Sequence, residues 1–231
     1  MIGDSIEHIR GRIAKTCLAA GRDPSDVTLL AVSKTFSAER VAEAVQHGIT
    51  SIGENYVQEL LQKRSSLNDD RIRWHFIGHL QSNKVKHVIE WIHLIHAVDS
   101  VSLAQEISAR AAKARRTMDI LLEVNTTGEK SKFGLRPEHT VEFVRSLADL
   151  ENIRISGLMT IGPFLPDPEG SRPMFRSLRL LKDELSNLSQ PNVSMTHLSM
   201  GMTGDFEVAI EEGATIVRIG TAIFGSRTKP I

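Results

Sequence analysis

The chain has 231 residues, in which 28 lysines and arginines balance 28 aspartates and glutamates. That length suits one α/β domain with its own core, and zero net charge supplies no long-range field toward nucleic acid or an anionic membrane. The single Cys17 excludes an intramolecular disulfide. Early charges such as Asp4 and Arg10, and the lack of any run of about twenty apolar residues, argue against a signal peptide or membrane span, so a cytoplasmic protein is expected.

Ile2, Ile6, Ile9, Ile13 and Cys17 recur at three and four residues, which predicts an N-terminal helix ending near Gly21. Val27 to Lys34, VTLLAVSK, reads as a strand buried on both faces, because six apolar or β-branched residues follow one another before Ser33. A short helix around Val41 and Val45 closes at Gly48, and ITSIGEN forms the second strand. Tyr56 to about Ser66 is helical, RWHFIG is the third strand, and Gln81 to Trp91 is expected as a helix with Ser82 near its start.

Ile92 to Val98 is the fourth strand; Asp99 and Ser100 are good N-cap residues for the alanine-rich helix that runs to Arg116. MDILLEVN is the fifth strand. GEKSKFG is a polar loop ahead of Pro137, which suits a first helical turn, and that helix reaches about Leu150. IRISGLMT is the sixth strand, and GPFLPDPEG, with three prolines, is an irregular loop. A helix from Arg172 to Leu188, the strand VSMTHLSM, a short helix from Phe206 to Glu212 and the strand TIVRIG complete the series. Eight strands alternating with helices predict parallel βαβ units, and at this length a closed (β/α)8 TIM barrel with an extra N-terminal helix, in one domain. An open doubly wound sheet fits less well, since no GxGxxG follows the first strand.

Two stretches carry candidate chemistry. Lys34 ends the first strand, which delivers a primary amine to the rim where barrels bind ligands. From Leu198 to Gly225, two strand ends bring Ser199, Gly201, Thr203 and Gly204 opposite Gly220 and Thr221, with Arg218 two residues earlier. Small residues and hydroxyls after the last two strands suit a phosphate. A lysine amine beside a phosphate cradle is the combination pyridoxal 5′-phosphate requires. Asn55, at the second strand end, either bonds the cofactor's phenolic oxygen or caps the next helix. Met159 and Met200 pack against the ring or, for Met159, fill the core. His75, His79, His93 and His96 lie close in sequence but not at metal-ligand spacing, and no metal is expected. Lys84, Lys86, Lys130 and Lys132 read as solvated loop charges.

The motifs AVSK, GENYVQE, WHFIGHLQSNK, HAVDS, GLMTIGP, LSMGMTGD and VRIGTAIFG occur in this order from about Leu29 to Gly225. Together they resemble the YggS/PROSC family of pyridoxal phosphate-binding homeostasis proteins. The resemblance implies a barrel of the alanine-racemase type with the cofactor linked to Lys34. It further implies that Ser199, Gly201, Gly220 and Thr221 hold phosphate, and that Arg218 faces the pyridine nitrogen or pairs with the phosphate. The function implied is a carrier that delivers cofactor to apo-enzymes, with little turnover. A racemase or decarboxylase and a Schiff-base aldolase are the alternatives. A racemase needs a second acid/base opposite the lysine, and with Tyr56 as the sole tyrosine and no added β-domain expected after Ile231, neither that group nor the racemase dimer contact is expected. A monomer follows.

Overall fold

The computed structural model describes residues 1–129, 133–163 and 165–226. Eight parallel strands close in chain order into a barrel: β1 (Thr28–Val32), β2 (Ser51–Glu54), β3 (Arg73–Phe76), β4 (Leu94–Val98), β5 (Met118–Glu123), β6 (Ile153–Met159), β7 (Val193–Ser199) and β8 (Ile216–Ile219). The seam pairs β1 with β8, and Leu30 stands opposite Arg218. This is the expected (β/α)8 TIM barrel with an N-terminal helix before its first strand.

Strand pleating sorts each strand into two layers. Leu30, Val32, Ile77, Leu94, Leu121, Met159 and Ile216 point inward and fill the barrel. Their neighbours Ala31, Phe76, Ile95, Leu122, Leu158 and Val217 point outward and join the larger core under the helices. Both faces are dry, which is why the strands read as unbroken apolar runs.

Around the barrel lie α1 (Ile2–Ala19), α2 (Ala38–Gln46), α3 (Val57–Ser66), α4 (Val101–Lys113), α5 (Pro137–Ser146), α6 (Arg172–Ser186), α7 (Phe206–Glu211) and α8 (Thr221–Phe224). The stripe Ile2, Ile6, Ile9, Ile13 and Cys17 of α1 is buried, and α1 packs on α7 and α8 across the seam. Arg12 there makes two hydrogen bonds to Glu207, at 2.7 and 2.8 Å.

One predicted helix differs. Between β3 and β4 the chain forms a six-residue 3-10 helix, Ser82–His87, instead of an α-helix from Gln81 to Trp91. Buried Val85 within it and buried Val88 just after it are three apart, and Val88 N–H bonds the carbonyl of Val85, so a three-residue turn suffices to bury both. Lys86 is exposed and Lys84 partly so. Lys130 and Lys132 lie outside the described residues.

Candidate functional site

The C-terminal ends of β8, β1 and β2 are adjacent in the ring and border a cavity of about 230 Å³. Val32 and Lys34 enter it from β1 and the following turn, Phe36 from the same turn, Asn55 from the end of β2 and Ile77 from the end of β3. Arg218, Gly220 and Thr221 come from β8 and the start of α8. Met202, Thr203 and Gly204 come from the loop after β7, and Ile161 from the loop after β6.

The pleat decides which side chains arrive. Val32 points in and Ala31 out; continuing that alternation, Ser33 is directed out and Lys34 into the cavity. In β8 the inward residues are Ile216 and Arg218. Across the mouth, the hydroxyls of Thr203 and Thr221 lie 3.3 Å apart, which joins the two loops expected to hold an anion. Gly204 borders open space, where even an added Cβ would meet nothing within 4 Å.

Arg218 is held from the barrel interior. Its Nη1 donates to the carbonyl oxygen of Ser199 at 2.7 Å and to the Ser199 hydroxyl at 2.8 Å, and Nη2 donates to the carbonyl of Thr160 at 2.8 Å. Burial draws its pKa down to about 10, which leaves it a cation at neutral pH. The chain of polar groups continues from the Ser199 Oγ to His96 Nδ1 at 3.0 Å and from His96 Nε2 to His75 Nδ1 at 3.0 Å. Burial, more than the neighbouring charges, pushes His75 down to about 3 and His96 well below its usual value, so both rings are neutral. The Ser199 oxygen accepts from Arg218, and its hydroxyl and the two neutral rings form one continuous chain of polar contacts. Glu123, on the same inner face, is pushed up to about 7 by burial and by Asp99, against the pull of Arg218.

Of the nine residues expected at the site, Lys34, Asn55, Arg218, Gly220 and Thr221 line the cavity, and four do not. Ser199 lies deeper, fully buried, with its hydroxyl engaged by Arg218 and His96. Met200 follows it in the pleat and turns outward into the core beneath the helices. Gly201 (φ +90) serves packing, because a Cβ there would come within 2.6 Å of Ala209 Cβ on α7. Met159 fills the barrel interior. Thr203 and Gly204, together with Met202, take the wall position expected of Ser199 and Gly201. The run of small and hydroxyl residues after β7 was the signal for them; what the sequence lacked was the point where β7 ends. His75 and His96, read apart in sequence, meet inside the barrel. Among the described residues no three histidine, cysteine or acidic side chains are grouped to hold a metal.

The fold and a rim lysine define an alanine-racemase-type barrel, and the sequence profile described as "Alanine racemase, N-terminal domain" matches residues 7–228. The pyridoxal phosphate homeostasis protein of Aquifex aeolicus is 48% identical over 97% of this chain and 97% of its own. That of Pseudomonas aeruginosa is 42% identical over 98% and 96%. Among solved structures, PipY of Synechococcus elongatus with PLP bound superposes with a TM-score of 0.84 at 32% identity, covering 97% of this chain and 100% of PipY. The chain belongs to the family of pyridoxal phosphate homeostasis proteins.

Proposed function

We propose that this protein binds pyridoxal 5′-phosphate as a Schiff base on Lys34 and acts in pyridoxal phosphate homeostasis as a carrier that supplies apo-enzymes, with little turnover of amino acids. The observation that carries this reading is one lysine and one buried arginine on the same cavity, with no acidic side chain among the described lining residues. The residues present fit the cofactor. Asn55 Oδ1 is buried without a hydrogen-bond partner among the described residues, an open position for a polar ligand atom. The Thr203 and Thr221 hydroxyls and the small residues Gly204 and Gly220 suit a phosphate. The names of the relatives and the PLP-bound state of PipY support the same ligand.

When bound, pyridoxal phosphate supplies an aldehyde for exchange with amines and a ring that accepts negative charge. Lys34 would hold the aldehyde carbon, Thr203, Gly204, Gly220 and Thr221 the phosphate, and Arg218 the ring nitrogen. Arg218 remains charged, so it donates a hydrogen bond to a nitrogen it faces while opposing protonation there. An acidic residue would do the opposite. The site is therefore suited to hold the ring and poorly suited to stabilise carbanions on it, which is the chemistry of a carrier.

The test is addition of pyridoxal phosphate followed by the visible absorbance, borohydride reduction and peptide mapping. Label on Lys34, transfer to an apo-enzyme, and amino-acid turnover far below about 1 s⁻¹ are expected. Label on another lysine overturns the site, and racemisation or decarboxylation at about that rate or above overturns the carrier reading in favour of an enzyme.

A further inference from the structure

The turn that carries Lys34 is gripped from its outer side by a buried ionic network that never reaches the cavity. Lys63 on α3 is 5% exposed and Glu54 at the end of β2 is fully buried. The Lys63 Nζ donates to the carbonyl of Ser33 at 2.7 Å, to Glu54 Oε1 at 2.5 Å and to Glu59 Oε2 at 3.3 Å. The Ser33 hydroxyl also donates to Glu54 Oε1. On the far side of Lys34, the backbone N–H of Thr35 donates to the same Glu59 oxygen at 2.8 Å. Both residues flanking Lys34 are thus tied to one cluster on α3 and β2, and Phe36 N–H closes the turn on the Ser33 carbonyl at 3.0 Å.

The conformation so held is a strained one. Thr35 has φ +69, in the left-handed region that β-branched residues avoid. Such a backbone persists only where its surroundings over-determine it. The network is also a poor device for stability alone. Apolar residues of similar volume commonly replace a buried ion pair without loss, and here Glu54 Oε2 is buried with no hydrogen-bond partner among the described residues. What an apolar replacement could not do is donate to the Ser33 carbonyl and orient Glu59 toward Thr35 N–H.

We propose that Lys63, with Glu54 and Glu59, is a positioning residue for Lys34: the cluster clamps the Ser33–Phe36 turn in its strained form and so commits the Lys34 side chain to the cavity. This rests on the reading of Lys34 as the cofactor's lysine, given above. Ser33 faces out and Lys34 in, so a turn free to relax would lose the alternation that aims the amine.

Three variants, Glu59→Gln, Lys63→Met and Lys63→Met with Thr35→Gly, test the clamp by two readouts. In cofactor-free protein, hydrogen exchange at the Thr35 amide is expected to rise about tenfold or more in Glu59→Gln, with exchange in β4 to β6 unchanged, because that amide loses a charge-assisted bond. In titrations with pyridoxal phosphate, Lys63→Met is expected to bind about tenfold more weakly, and Thr35→Gly in that background to recover most of the loss, since glycine takes a positive φ without strain. A Lys63→Met protein that is merely less stable, with wild-type affinity and no rescue by glycine, overturns the proposal and leaves a structural ion pair; so does unchanged Thr35 exchange in Glu59→Gln. If wild-type protein takes up no pyridoxal phosphate, the functional reading fails, and the exchange experiment still decides the clamp.

Discussion

Arg218 and Ser199 are joined twice, through the carbonyl oxygen at 2.7 Å and the hydroxyl at 2.8 Å, so the serine orients the guanidinium that forms part of the cavity wall. Ser199→Ala removes one acceptor from a buried cation and leaves His96 Nδ1 without its partner. The loss is expected in folding stability, about 1.5 to 3 kcal/mol by urea denaturation of the cofactor-free protein. An unchanged midpoint would falsify this placement of the serine.

Asn55 predicts the reverse balance. Its Oδ1 is buried without a hydrogen-bond partner among the described residues, so Asn55→Leu is expected to leave the cofactor-free protein as stable as wild type or more so. Affinity for pyridoxal phosphate is expected to fall about tenfold, the scale of one hydrogen bond. Thermal unfolding with and without cofactor separates the two effects, and equal shifts in both states would count against a ligand contact.

Gly78 places Asn55. A Cβ at residue 78 would lie 2.4 Å from the Asn55 carbonyl oxygen and 2.8 Å from its Cα, both backbone atoms that cannot swing aside. Gly78→Ala is therefore expected to displace the Asn55 wall and weaken cofactor retention by about tenfold or more. Absorbance after gel filtration measures retention, and full retention would show that this wall is not needed.

Glu123 sets a pH dependence. Burial, then Asp99, raises its pKa from 4.5 to about 7, so the folded state keeps a proton that the unfolded chain releases. Its contribution is complete below pH 4.5 and is lost as pH rises through about 7, amounting to about 3 kcal/mol. His75 and His96 act oppositely: kept neutral when folded, they contribute above pH 6.5 and lose that contribution as pH falls toward about 3 for His75. Glu123→Gln isolates the acid. It is expected to raise stability at pH 8 by up to about 3 kcal/mol and to change it far less at pH 5. The same difference at both pH values rules out a carboxyl that titrates on its own.

The barrel was legible because a parallel strand buried on both faces writes itself as an apolar run, as Leu29 to Val32 does, and Lys34 stood out as the charge that ends it. Arg218, Gly220 and Thr221, read at the end of the last strand, line the same cavity from the other side of the seam. Ser199, Met200 and Gly201 were expected at the site and lie a few positions in sequence from the residues that line the cavity. In a pleated strand one residue reverses the face, and β7 ends at Ser199, so the chain has to turn through Gly201 before Met202 to Gly204 reach the cavity. The grip of Lys63 on Ser33, 30 residues away, and the meeting of His75 with His96 depend on contacts between different strands and helices, which no local pattern encodes.

The seam between β1 and β8 orders events in time. Lys34 is synthesised well before Thr203, Arg218 and Thr221, and β1 has no β8 to pair with until that later stretch is made. The first and last segments are stitched together by Arg12 with Glu207, Arg22 with the carbonyl of Ile210 and Arg40 with that of Phe224, all closures of long sequence separation. A nascent chain thus carries Lys34 with no cavity around it until β8 is made, and the cavity exists only once the ring is shut. Uptake of cofactor at this site would then be a mark of a closed barrel, available to no fragment that stops short of β8.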